Sequence, residues 1–331
     1  MRRLVSSDWQ LTDNPRDRYR TDWVVNELPK LIDKYKPDQL LCLGDITELK
    51  DQHPASLVNE IVDNLCSLAH SFEIEIVVLQ GNHDFLHKGF PFFKFLENFK
   101  GIHWISRPEV LGGCLYLPHT RDYKQDWKGI DFKGHDFIFA HNIFNGVKAN
   151  GQLLSGIPTS IFPEDAVIIS GDVHEPQTLD DGLIHYVGSP CLCDFGDHYQ
   201  SRVLLLDGLN MKSIKVHGPQ KRVVEVFWKE GMQFRAVGDF NPGDILKIKS
   251  HLEMDHVAHW ARLRDHLVNW ATEKGAVVNT VQPIVTYDSV ERAKPVQGKK
   301  KSDSQYLESF IKRTGIDEKT ADVGKGIVEL L

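Results

Sequence analysis

The stretch Ile74-Glu75-Ile76-Val77-Val78-Leu79-Gln80-Gly81-Asn82-His83-Asp84 runs from a nearly unbroken apolar segment straight into a polar turn. An apolar run this short, rich in β-branched side chains, reads as a strand buried on both faces. The glycine, amide, imidazole and carboxylate that follow it sit where the strand would end. The same punctuation recurs on either side. Leu4-Val5 leads to Asp8, Gln39 to Leu43 leads to Gly44-Asp45, Phe137 to Ala140 leads to His141, and Val167 to Ser170 leads to Gly171-Asp172-Val173-His174. Between the first two runs Trp23, Val24, Leu28, Leu31, Ile32 and Tyr35 recur at helical spacing, as do Leu57, Ile61, Leu65 and Leu68 between the next two. Strands alternating with amphipathic helices predict a layered α/β domain. Ligands of open α/β sheets bind beyond the carboxyl ends of the strands, so the five polar clusters are expected to line one crevice.

A chain of 331 residues exceeds one small core and suits a large domain with a smaller appendage. Its 41% hydrophobic and 26% charged residues describe a folded protein rather than a disordered one. The formal charge of −7 excludes the broad basic surface of a general nucleic-acid binder, so any DNA contact must be local or metal-assisted. Five cysteines without a CxxC pair fit a reducing compartment better than a disulfide framework. The opening Met1-Arg2-Arg3-Leu4-Val5-Ser6-Ser7-Asp8 is too short for a signal peptide, and no apolar run reaches membrane-spanning length. A soluble cytoplasmic protein is expected, in the host cytoplasm if the source is viral.

Past Asp207 the texture changes to strand-like pieces, Val223 to Phe227 and Ile245 to Ile248, and then a helical stripe of Val257, Trp260, Leu263, Leu267 and Trp270. The expected organisation is a catalytic domain over 1–207 and a smaller α+β capping domain over 208–290. A linker over 291–303 carries Pro295, Gly298 and Lys299-Lys300-Lys301, and a helical tail follows over 304–331. Tyr306, Leu307, Phe310 and Ile311 share one face of the first tail helix, which opens at Ser302 or Ser304 and stops at Gly315; Val323, Ile327, Val328, Leu330 and Leu331 form a second apolar set.

A dinuclear metal site needs a carboxylate shared by both ions, oxygen and imidazole ligands on each side, and room for water and a phosphate oxygen. Asp45 is the candidate shared ligand. Asp8, Gln10 and His174 would complete one ion, and Asn82, His141 and Asp172 the other, leaving His83 free to act as an acid. A single aspartate after a strand is more often a turn former or helix cap than a ligand. The weight lies in the ordered set.

That set, Asp8-x-Gln10, Gly44-Asp45, Gly81-Asn82-His83-Asp84, His141 and Gly171-Asp172-Val173-His174, resembles the calcineurin-like metallophosphoesterase signature DxH, GDxx, GNH(D/E), an isolated H, and GHxH. The later segment Tyr186-Val187-Gly188-Ser189-Pro190 with Phe195 resembles SbcD-type double-strand-break repair nucleases. The resemblance implies a layered sandwich with a capping domain, two divalent ions, and Mn²⁺-dependent 3′ to 5′ exonuclease and hairpin or single-strand endonuclease activity. It further implies Asn82 and His83 as catalytic residues, substrate contact at Ser189, a homodimer, and an SbcC-type coiled-coil ATPase docked on the tail. Gln10 and Asp172 depart from the pattern, each placing oxygen where the family has imidazole. Harder ligands favour Mn²⁺ or Mg²⁺ over Zn²⁺. The rival readings are another metallophosphoesterase, a phosphatase or nucleotide phosphodiesterase, and a scaffold subunit depleted of metal.

Overall fold

The computed structural model of the chain describes residues 1–285 apart from 88, 150, 230 and 231, together with the helical residues Leu307, Glu308 and Ile311. Two units separate, Met1–Val285 and Thr286–Leu331. The expected linker over 291–303 and the rest of the tail, including Tyr306 and Phe310, lie outside the described residues.

In chain order the strands are β1 (Arg2–Ser6), β2 (Gln39–Cys42), β3 (Glu75–Leu79), β4 (Ile102–Ile105), β5 (Glu109–Leu111), β6 (Cys114–Leu117) and β7 (Ile138–His141), then the short pair β8 (Lys148–Ala149) and β9 (Gln152–Leu153). They continue with β10 (Ile168–Gly171), β11 (Gln177–Leu179), β12 (Ile184–Tyr186), β13 (Arg202–Asp207) and β14 (Asn210–Lys215). One sheet has the order β14-β13-β1-β2-β3-β4, with β1 to β4 parallel. The other has the order β11-β12-β10-β7-β6-β5, parallel from β12 to β6 with antiparallel edges. This is the predicted α/β sandwich.

The apolar runs earn their continuity by facing two cores, as residues of a doubly covered parallel sheet must. Leu4, Leu40, Cys42, Ile76 and Val78 point outward against Leu28 and Ile32 and against Leu57, Ile61 and Leu65 of the helix Ala55–Ser71. Their neighbours Val5, Leu41, Leu43, Val77 and Leu79 point inward against Tyr116, Phe139 and Ile169 of the second sheet. Beyond that sheet Leu117, Ile138, Ala140 and Ile168 are covered by Phe144, Val147 and Phe162. Full burial of each such side chain contributes about 1.5–3 kcal/mol, and the pairing register Ser6 to Cys42 to Val78 keeps the strand ends level.

Two boundaries differ from expectation. The division at residue 207 falls at the tip of the β13–β14 hairpin, whose second strand still belongs to the sandwich. Val257 leaves the expected stripe, because the chain turns at Ala258-His259; it lies exposed in the short helix Met254–Val257, while Leu263, Leu267 and Ala271 of the helix Trp260–Glu273 are buried.

A smaller sheet, order β16-β15-β17-β18, is built from β15 (Lys221–Trp228), β16 (Phe234–Val237), β17 (Ile245–Leu252) and β18 (Val277–Val285). The helix Trp260–Glu273 is the crossover that parallel β17 and β18 require. Its stripe closes a core with Val224, Val226 and Ile248.

Lys221, the first residue of β15, ties this sheet to the sandwich. Its Nζ lies 2.9 Å from Asp17 Oδ1, donates to the Cys193 carbonyl at 2.6 Å, and sits over the rings of Tyr19 and Phe195. Arg20 donates to the same carbonyl at 3.2 Å and to the Gln10 carbonyl at 2.9 Å. Lys221 and Asp17 are both buried, and without Lys221 the Asp17 carboxylate keeps only the longer ion pair to Arg20 at 3.6 Å. Lys221→Met should cost about 2–3 kcal/mol in urea unfolding, and adding Asp17→Asn should recover part of that loss. Additive losses would show that the two charges do not interact.

Candidate metal centre

Every expected polar cluster sits at or just past the carboxyl end of a strand. The loops after β1 and β2 are laced together by backbone bonds from Asp8 to the Gly44 carbonyl at 3.0 Å, Gln10 to Asp45 at 3.0 Å and Leu11 to Ile46 at 2.8 Å. Asp8, Gln10, Asp45 and Asp172 have φ of 52°, 50°, 55° and 79°. Left-handed backbone is uncommon without glycine and is tolerated best by Asp and Asn. Four such residues in one crevice mark a place where packing enforces side-chain direction.

His141 stands at the centre, fully buried. A Cβ on Gly44 would come within 2.5 Å of its Nδ1 and a Cβ on Gly171 within 2.7 Å, while one on Gly81 would meet Asp45 Oδ1 at 2.3 Å. The strand-end glycines therefore serve close approach. His141 Nδ1 lies 2.5 Å from the Leu43 carbonyl, which makes it the N–H donor and leaves Nε2 as a lone pair. Nε2 faces Asp45 Oδ1 at 3.3 Å. One end of the Asn82 amide lies 2.9 Å from both oxygens of Asp45 and 3.1 Å from His141 Nε2. With nitrogen there, Asn82 donates to all three. With oxygen there and His141 neutral, four electron-pair donors meet, an arrangement that a cation satisfies. Asp8 fits the same reading: its Oδ2 is buried without a hydrogen-bond partner, and the ligand atoms of Asp8, Asp45 and His141 lie within 4.8 Å of one another.

Asp84 is the brace behind these groups. Its carboxylate accepts from the backbone N–H of Gly81 at 2.7 Å, Asp45 at 2.8 Å and Ile46 at 3.0 Å, locking the loops after β2 and β3 together. Burial, then the charge of Asp45, pushes the Asp84 carboxyl up to about 7 against those three donors. Burial also raises Asp8, and raises Asp172 to about 6 with the neighbouring Asp45 and Asp8 charges adding to it. Asp45 alone stays low: burial works against its charge, but His141 and the His83 N–H outweigh it. His141 is raised despite burial because Asp45, Asp8 and Asp172 surround it. So much uncompensated carboxylate is the electrostatic complement of a bound divalent cation.

The expected ligands are not all in one place. Asp8, Asp45, Asn82 and His141 converge, and Asp172 Oδ1 lies 3.9 Å from His141 Nε2. Gln10 reaches the centre but turns its amide nitrogen to Asp45 Oδ2 at 2.9 Å, presenting a donor instead of a ligand oxygen. His174 forms a different group with Asp194 and Asp197, their ligand atoms mutually within 4.8 Å. Burial lowers its basicity, but the hydrogen bond to the Cys193 sulfur, with Asp8 and Asp197, pushes it up to about 10. His83 donates its backbone N–H to Asp45 at 2.8 Å, and its Nδ1 lies 2.5 Å from the Glu48 carbonyl. Ser189 does not meet the expectation of substrate contact: it is fully buried, and its hydroxyl donates to the Asp8 carbonyl at 2.7 Å.

His119 was not singled out by the sequence. Its Nδ1 lies 3.2 Å from the His141 carbonyl and 3.9 Å from Asp172 Oδ2. Burial, and then His141, lowers its pKa to about 4. The available signal was its position directly after the apolar run Leu115-Tyr116-Leu117-Pro118.

The profile of the calcineurin-like phosphoesterases matches residues 1–206. No curated protein matches the chain in sequence. Among solved structures, the Pseudomonas putida nuclease MPE is similar at 14% identity over 64% of this chain and 87% of that one, with a TM-score of 0.32. A dimetal phosphatase from Danio rerio is similar at 10% identity over 66% and 99%, with a TM-score of 0.38.

The raised carboxyls make a prediction for the metal-free protein. Asp172 and Asp84 keep protons to about 6 and about 7, whereas the ordinary carboxyl releases them near 3.8. Folding therefore takes up protons across that interval, so their stabilisation is present below about 3.8 and is lost as pH rises through 6 and 7. His141 and His174, also raised, have the same sign and extend the loss to higher pH. In EDTA the melting temperature should fall between about pH 5 and about pH 8, and saturating Mn²⁺ should flatten that slope by replacing protons as counter-charge. Calorimetry at matched pH values reads both. A slope indifferent to Mn²⁺ would mean the carboxylates do not hold the cation.

Proposed function

The chain belongs to the calcineurin-like phosphoesterase family, and from that membership and its strand-end donor set we propose that it hydrolyses DNA phosphodiester bonds with two divalent cations. The observation that carries the reading is the meeting of Asp8, Asp45, Asn82 and His141, with Asp8 Oδ2 buried and unpartnered. Divalent cations bound there supply Lewis-acid charge to a phosphate and lower the pKa of water. The oxygen-rich set favours Mn²⁺ or Mg²⁺.

The remaining work falls to the chain. Asp45, placed centrally and held ionised by His141 and the His83 N–H, would be the ligand shared by both ions. The bond from His141 Nδ1 to the Leu43 carbonyl aims the Nε2 lone pair into the site. Asn82 steadies the phosphate. His83, with Nδ1–H held by the Glu48 carbonyl, leaves Nε2 as the ring nitrogen that, in the imidazolium form, would protonate the departing sugar oxygen. Resemblance in the Gly188-Ser189-Pro190 region supports DNA ends as substrate, a homodimer, and an SbcC-type ATPase bound through residues 304–331 in recombination and repair. The scaffold alternative has one observation in its favour, the Gln10 amide nitrogen directed at Asp45.

The deciding assay offers blunt, hairpin and single-stranded DNA, and separately small phosphate monoesters, in Mn²⁺ and in Mg²⁺, with metal counted per chain. Cleavage of DNA in Mn²⁺ is expected. His83→Ala should then lower kcat by about 10²–10⁴-fold with metal content unchanged. Turnover of monoesters alone would make the protein a phosphatase, and fewer than one ion per chain with no turnover would make it a scaffold.

A further inference from the structure

Beside the metal centre lies a recess of about 940 Å³, within the size range of small-molecule sites. Gln80, the residue before Gly81, and His119, whose Nδ1 lies 3.2 Å from the His141 carbonyl and 3.9 Å from Asp172 Oδ2, are among its lining, which places the recess against the loops of the metal centre. With His119 Nδ1 directed to the His141 carbonyl, its Nε2 is the ring nitrogen left for a ligand.

The chemistry of the walls is not that of a phosphate site. Three cations, Lys94, Arg107 and Arg121, stand against four carboxylates, Glu97, Glu109, Asp122 and Asp126, so the recess offers no net positive field to a second phosphate. Its apolar surface is aromatic: Phe85, with the Arg121 guanidinium 5.7 Å above the ring, and Trp104. Trp104 lies mostly buried behind this wall. A group that stacks on aromatic and guanidinium faces, is uncharged, and hangs from a phosphodiester is a nucleobase.

We propose that this recess is a nucleobase subsite, taking the unpaired base next to the scissile phosphate. The proposal rests on the phosphodiesterase reading above and adds a substrate requirement to it: a base held there is out of its duplex stack, so frayed, looped or single-stranded positions are the cleaved ones. Extrusion is cheapest where a base is already unpaired.

The test uses the full chain and two kinds of oligonucleotide. In the first, the base flanking the cleaved bond is replaced by an abasic site; KM should rise about 10-fold. Arg107→Ala with Arg121→Ala, both exposed positions, should raise KM for the normal strand but not for the abasic one, with metal content unchanged. In the second, 2-aminopurine occupies the flanking position of a phosphorothioate strand, and its fluorescence should be quenched on binding. Equal KM for base and abasic strands, or unquenched 2-aminopurine, overturns the subsite while leaving the nuclease reading standing. If no phosphodiester is cleaved, that reading fails by itself and the fluorescence still decides the recess.

Discussion

The structure turns on the packing of three strand ends around one imidazole. Gly44, Gly81 and Gly171 bring the loops after β2, β3 and β10 so close that any side chain would strike the His141 ring, Asp45 or Ser7. Glycine costs backbone entropy on folding. Here the return is a set of short distances: His141 Nε2 and the Asn82 amide reach Asp45 only because nothing separates the loops. Asp84 completes the clamp from behind with three backbone N–H bonds. The sandwich holds the loops level, and the glycines let them converge.

How much was legible beforehand follows from where the physics writes itself into local sequence. Strands buried on both faces must be apolar throughout, so β2, β3, β7 and β10 stood out, each shifted by no more than a residue or so. The candidate ligands Asp45, Asn82 and His141 lie at or just past the ends of those strands and were readable for the same reason. The smaller sheet announced itself through Val223 to Phe227 and Ile245 to Ile248. The helix stripe was readable except at Val257, where a turn at His259 carries no glycine or proline to mark it.

What stayed hidden depends on partners remote in sequence. Ser189 looked like a substrate contact because it sits in a Gly-Ser-Pro turn; its hydroxyl is spent on Asp8, 181 residues away. His119 follows a strand but lacks the preceding glycine that marked Asp45, Asn82 and Asp172. Gln10 and His174 occupy the positions where the family pattern has ligands, yet one offers an N–H to Asp45 and the other joins Asp194 and Asp197. A pattern of residue types names positions; it does not say which atom of an amide faces inward.

The buried ammonium of Lys221 also works as a mechanical coupling. It joins the first residue of the smaller sheet to Asp17 and to the Cys193 carbonyl, and Arg20 shares that carbonyl with the carbonyl of Gln10. A displacement of β15 must either drag the 193 loop, whose sulfur is hydrogen-bonded to His174, or leave Asp17 with only the longer ion pair to Arg20. The smaller sheet is therefore geared to the crevice: force applied to one is delivered to the backbone that carries the other.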